Sequence, residues 1–253
     1  MFKKISVLFF LIISANLFAE DLELKKIFDE KKVEGTIVIE SLNKKKIYIY
    51  NDERADSFFS PASTFKIPNT LIALKEGVVN RDSIIVWDKK VREFDSWNKN
   101  QTLLSAFKNS CVWCYQEFAS KIGVEKYKKY LEDIDYGNKT LGDDVKNFWL
   151  NESLKISAFG EIKFLKRLYL NDLPFKKEDM ELLKEIMIDE KNDNYIIRAK
   201  TGWEGKYGWY VGYVETKDDV WFFALNIDTN TKEDLAKRKA ITLEALKTEG
   251  IIN

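Results

Sequence analysis

Ser63 and Lys66 stand three residues apart in the stretch SPASTFKIPN, residues 60–69, of a chain that contains no histidine. A serine nucleophile here needs another base, and a lysine at i+3 shares its face of a helix. The spacing alone carries little, because Ser-x-x-Lys also begins at Ser41, Ser96 and Ser105. Context separates the copies. Ser41 to Lys44 spans an expected hairpin turn, Ser96 to Lys99 a polar Asn-rich loop, and Ser105 to Lys108 the wet face of an amphipathic helix. Ser63 instead lies among Phe58, Phe59, Phe65 and Ile67, directly after the helix-start signal Ser60-Pro61. A helix start also turns free N–H groups and a positive dipole end toward a developing oxyanion. Pro68 predicts a bend just beyond it.

The base has to be tuned. An unperturbed lysine is neutral in about 0.04% of molecules at pH 7, a handicap of roughly 4–5 kcal/mol. Burial among apolar groups favours the neutral amine, and Phe65 with the following helix can supply that surrounding.

Two further short motifs have ordinary readings when taken singly. Ser110-Cys111-Val112 reads as a polar residue in a helix, and Lys200-Thr201-Gly202 as a strand running into a turn. In the order S-x-x-K, S-x-V, Y-G-N, K-T-G they become specific. The sequence resembles the serine β-lactamases and penicillin-binding proteins, and in detail the class D, oxacillinase type.

The resemblance implies roles residue by residue. Ser63 matches the acylated nucleophile, Lys66 its base, and Ser110 the serine that passes a proton toward the lactam nitrogen. Val112 stands where classes A and C and the penicillin-binding proteins usually carry a polar residue, and Tyr136-Gly137-Asn138 matches a class D loop motif. Lys200, Thr201 and Gly202 match the strand beside the site. The backbone N–H of Trp203 joins that of Ser63 as an oxyanion hole, and Arg238 binds the substrate carboxylate with Thr201. Trp149 matches the tryptophan whose indole holds the modified lysine. In class D that lysine takes up CO₂ to become an N6-carboxylysine, a carbamate serving as base for acylation and deacylation. Phe65, Val112 and Leu150 would line its apolar pocket. The implied function is hydrolysis of β-lactam antibiotics through an acyl-serine, with no metal and no cofactor beyond CO₂ or bicarbonate. The alternatives are a β-lactam sensor that stays acylated, or a D,D-peptidase, against which Val112 argues.

These residues need elements to carry them. Residues 22–32 read as an amphipathic helix, and GTIVIES with KKIYIYN as a strand hairpin. From Ser63 to about Leu183 the patterns are mostly helical. YIIRAKTG, GWYVGYVE and VWFFALNID then read as strands, and the segment from Glu233 closes as a helix ending at Gly250. Strands at both ends with helices between predict an α+β fold, an antiparallel sheet from the N- and C-terminal segments flanked by helices, with a mainly helical insertion. The expected organisation is a single β-lactamase-like domain over 20–253, its sheet-and-helix part from 20–62 and 185–253 and its helical part from 63–184.

The first 19 residues read as a secretory signal peptide, with Lys3 and Lys4, an apolar run from Ile5 to Ile13 and cleavage after Ala19. That implies a secreted, periplasmic protein without a stable membrane anchor. The 41 basic and 41 acidic residues cancel, which gives no footprint for nucleic acid. Cys111 and Cys114 form one C-x-x-C, too few ligands for zinc; two small buried core residues are favoured over a local disulfide. Gly202, Gly205 and Gly208 read as turn glycines rather than a phosphate loop, and Asp143 and Asp144 as a solvated turn rather than an acid pair.

Overall fold

The computed structural model describes residues 21–253, so the signal-peptide reading of 1–19 lies outside the described residues. The chain opens with α1 (Leu22–Lys31), capped by Asp21, whose carboxylate accepts from the N–H groups of Glu23 and Leu24. β1 (Gly35–Ser41) and β2 (Ile47–Tyr50) form the expected hairpin, Ile37 opposite Tyr50. After α2 (Asp52–Asp56), a 3-10 turn (Ala62–Phe65) runs directly into α3 (Lys66–Lys75). A two-stranded ribbon, β3 (Ile84–Ile85) with β4 (Gln101–Thr102), precedes α4 (Leu103–Lys108) and α5 (Val112–Ile122). Then come α6 (Val124–Asp133), α7 (Ala158–Tyr169) and α8 (Lys177–Met187). The chain ends with β5 (Ile188–Lys191), β6 (Tyr195–Trp203), β7 (Tyr207–Thr216), β8 (Val220–Asp228) and α9 (Asp234–Thr248).

The six-stranded sheet has the order β2-β1-β8-β7-β6-β5, and every neighbouring pair is antiparallel. The N-terminal hairpin is thus completed by the last strand, Ile37 lying opposite Leu225. Alternate residues serve opposite faces. Ile37, Ile39, Phe223 and Leu225 pack under α1 and α9, with Leu24, Phe28, Ile241 and Leu246. Val38, Phe222, Ala224 and Val211 face the other helices. Both faces being covered explains why β8 reads as an unbroken apolar run. β5 was not expected: Ile188-Asp-Glu-Lys is a short, charged edge strand, the composition that protects an open sheet edge and hides it in sequence.

Two expectations change. Pro68 is the third residue of α3, in the first turn, where an N–H has no helical partner to lose. The backbone changes two residues before it, from 3-10 to α at Lys66. Cys111 and Cys114 form a disulfide, with both residues fully buried and Cα atoms 5.5 Å apart. The reading as two separate core residues is corrected because Cys111 is the N-cap of α5, with extended ψ 102, and Cys114 its third residue. An N-cap side chain folds back over the first turn toward that position.

Replacing Cys114 by alanine is expected to lower stability by about 2 kcal/mol, the loop entropy of so short a ring. That is about 4–8 °C in Tm for a chain of this size, read by thermal unfolding, and the untreated protein should give no thiol titre.

Candidate active site

The turn that carries Ser63 is built from contacts on both sides. Trp209 Nε1 donates to Ser60 O at 2.8 Å, and Ser60 Oγ donates to Trp149 O at 2.9 Å. Ala62 adopts a left-handed φ of 49°, uncommon for a residue with a Cβ, immediately before Ser63. The strand end carrying Lys200, Thr201 and Gly202 presses on this turn. A Cβ at Gly202 would sit 2.8 Å from Pro61 O, so only glycine permits the approach.

Lys66 begins α3 with 1% of its surface exposed, and its Nζ lies 3.0 Å from Ser63 Oγ. The ring of Tyr115, from α5, sits under the amine at 4.9 Å. Burial alone pushes the Lys66 amine down to about 7. Phe65 stacks on Trp149 at 5.8 Å behind it, and Trp149 Nε1 is buried without an acceptor.

Ser110 occupies the turn between α4 and α5 with φ 52°, so it is not in a helix, and Lys200 Nζ donates to its Oγ at 2.5 Å. Burial holds the Lys200 amine well below the ordinary lysine range, with the charges of Lys66 and Arg238 adding to the effect. Arg238, from α9, donates to Gly202 O at 2.6 Å and to Leu235 O at 2.8 Å. Burial lowers its guanidinium to about 10. A Cβ at Gly208 would collide with the Arg238 side chain at 2.8 Å, so β7 leaves room for it. None of Lys66, Lys200 and Arg238 forms an ion pair among the described residues, and Arg238, which stays charged at neutral pH, lines the opening and suits an anionic ligand there.

That opening is a cleft of about 190 Å³ lined by Ser63, Ser110, Val112, Thr201, Gly202, Trp203 and Arg238. Lys66 and Lys200 stand behind the two serines. Phe65 and Trp149 lie deeper still, and Leu150 is half-buried at the edge of the same apolar cluster. Phe94, Trp97, Asn109 and Leu235 complete the wall. Sequence reading passed over Phe94, Asn109 and Leu235, which come from loops and a helix start with no periodic signal. It also missed Tyr115, hidden in the apolar face of α5, and Glu161, buried behind Thr64. Gly205, at φ 110°, lies in the β6–β7 turn, and Asp143 and Asp144 are exposed.

A serine and a buried lysine, a second serine on a second lysine, and a strand edge beside them define an acyl-transfer site of the penicillin-recognising kind. Residues 26–247 match the penicillin binding protein transpeptidase domain. The chain is 45% identical over 230 residues to Beta-lactamase OXA-48 of Klebsiella pneumoniae, covering 89% of this chain and 87% of that protein. It is 47% identical over 228 residues to Beta-lactamase OXA-20 of Pseudomonas aeruginosa, covering 88% and 85%. The crystal structure of FUS-1 (OXA-85), a class D β-lactamase from Fusobacterium nucleatum subsp. polymorphum, superposes with a TM-score of 0.90 at 40% identity. That match covers 93% of this chain and 100% of that one. The chain belongs to the class D β-lactamases.

The Lys66 amine ties stability to pH. Its pKa is near 10.5 when unfolded and about 7 when folded, so the unfolded chain holds one more proton between those values. The stability lost to burying a charge is therefore recovered as pH rises from about 7 to about 10.5. Lys66→Met should be more stable than the parent by at most about 5 kcal/mol below that window, with the gap closing across it. Thermal unfolding in CO₂-free buffer at a series of pH values measures this.

Proposed function

We propose that this chain hydrolyses β-lactams through an ester on Ser63, with Lys66 carboxylated on Nζ as the base for both half-reactions. The observation that carries the reading is the Lys66 amine, buried without a counter-charge 3.0 Å from Ser63 Oγ. A carbamate formed there, when the neutral amine takes up CO₂ and releases a proton, supplies an anionic base. The surrounding residues fit it: Trp149 Nε1 is a buried donor without an acceptor, as an anion beside it requires. Phe65 and Trp149 keep the amine dry, and Val112 and Leu150 extend the apolar wall.

Ser63 Oγ gives up its proton as it attacks the lactam carbonyl carbon, and the backbone N–H groups of Ser63 and Trp203 receive the oxyanion. The C–N bond then breaks, and Ser110 passes a proton to the departing nitrogen. Lys200 keeps Ser110 oriented from behind through its hydrogen bond. Thr201 and Arg238 hold the substrate carboxylate. A water deprotonated at Lys66 attacks the ester, and Ser63 leaves and regains its proton. No second carboxylate is needed for this step.

Export by a signal peptide at 1–19 to the periplasm belongs to the same reading. The buried disulfide suits an oxidising compartment, and among the described residues no helix is long and apolar enough to cross a membrane.

Purified protein should turn over a chromogenic cephalosporin, and Ser63→Ala should abolish the reaction. Activity should fall as pH drops below about 7, where the Lys66 amine is charged, and bicarbonate at fixed pH should restore it. Trp149→Phe keeps the ring but removes the donor. It should raise the bicarbonate needed for half-activity by about tenfold or more, the worth of a hydrogen bond to an anion. A stoichiometric, permanent acyl adduct without turnover, seen by mass spectrometry, would overturn hydrolysis in favour of a sensor.

A further inference from the structure

Glu161, in the first turn of α7, is fully buried and touches the nucleophile turn through a residue no motif contains. Thr64 Oγ1 lies 2.6 Å from Glu161 Oε1 and 2.8 Å from Pro61 O. Tyr136 OH, of the Y-G-N motif, donates to the same Oε1 at 3.1 Å. Glu161 Oε2 has no partner.

Counting hydrogens decides the state of this group. Thr64 has one hydroxyl hydrogen and two close oxygen neighbours, both of which only accept if Glu161 is ionised. One short oxygen–oxygen contact would then hold no hydrogen, and a buried negative charge would be left without a cation among the described residues. With a proton on Oε1 each contact is satisfied: Glu161 donates to Thr64, Thr64 donates to Pro61 O, and Tyr136 donates to Oε1. Among the described residues no cation pairs with the carboxyl. On its own helix Lys163 pairs with Asp135, Lys166 with Glu40 of β1, and Arg167 donates to Ile134 O. Arg54 of α2 pairs with Asp228 at the end of β8. Tyr213 of β7 packs on Tyr169, and Lys66 of α3 bonds Ser63.

We propose that Glu161 is a positioning residue that works as a neutral carboxylic acid, fixing the Pro61–Thr64 turn, and with it Ser63, through the Thr64 hydroxyl. This rests on the acyl-serine reading. Burial pushes the Glu161 carboxyl up to about 7, in the same sense as the hydrogen count. Ionisation draws the Thr64 hydrogen away from Pro61 O, leaves the turn closed by the backbone Thr64 N–H to Pro61 O bond without the hydroxyl's support, and sets a negative charge behind Ser63. Activity then has an alkaline limb from Glu161, opposite in sign to the acid limb from Lys66.

The test compares the full chain with Glu161→Gln and Glu161→Ala, using kcat/KM for a chromogenic cephalosporin against pH in saturating bicarbonate, and thermal unfolding against pH. The glutamine variant should keep the acid limb and lose the alkaline one. The alanine variant should lose about tenfold at pH values below the alkaline limb, the scale of a small displacement of a positioned nucleophile, with the deficit narrowing across that limb. A carboxyl pKa raised from 4.5 to about 7 on folding makes the parent lose stability as pH rises through that window. The Tm of Glu161→Gln should therefore gain on the parent across it and hold a constant lead above. Superimposable pH–rate profiles, or a Tm difference independent of pH, would overturn the proposal. If the glutamine variant does not fold, difference infrared spectroscopy of the parent decides: a protonated carboxyl lost in this window supports it, and its absence refutes it. The unfolding data do not depend on turnover, so failure of the acyl-serine reading would show separately, as absence of an adduct on Ser63.

Discussion

The Lys66 amine is held out of water without a counter-charge, and most of the architecture around the site follows from that constraint. An isolated buried ammonium is too costly to keep, so the amine gives up its proton near neutrality. A neutral amine is a base, and its Nζ lies 3.0 Å from Ser63 Oγ. The helical half is apolar: Phe65 packs against Trp149 and Phe148, and the ring of Tyr115 lies beneath the amine. The sheet supplies the polar half, with Lys200 behind Ser110 and the Gly202 backbone against the nucleophile turn.

The two halves are fastened to one another at the turn itself. Trp209 on β7 donates to Ser60 O while Ser60 donates to Trp149 O, so one residue connects the sheet to the aromatic cluster. Glu161 meets the same turn from α7 through Thr64. Ser63 and Ser110 are flanked or formed by left-handed backbone, at Ala62 and at Ser110 itself. Conformations of this kind persist when the surroundings over-determine them, and the bracing provides that.

Much of this was readable before any coordinates. β1 and β8 fall on the residues their β-branched and aromatic runs suggested, and the union of the N-terminal hairpin with the last strands follows from strands at both ends of a helical middle. The motif residues Ser63, Ser110, Thr201, Gly202 and Arg238 meet in one cleft. What escaped was of another kind. β5 is polar because it is an edge, and Leu235 and Asn109 reach the cleft only through chain direction. The state of Cys111 and Cys114 turned on a cap geometry that spacing does not encode. Glu161 looks like any acidic residue in a first helical turn, and its meaning arises from a hydroxyl nearly a hundred residues earlier in the chain.

The chain as a whole is electrically balanced, while Arg238 lines the cleft without an ion pair among the described residues. The far field of the molecule is therefore weak, while the near field at the cleft carries the positive charge of Arg238, concentrated by apolar walls such as Trp97, Phe94 and Val112. Capture of an anionic drug is guided only over the last stretch, within about 8 Å at physiological salt. The encounter rate then depends on local focusing rather than on overall charge, so substitutions on the distant surface should leave association kinetics almost untouched.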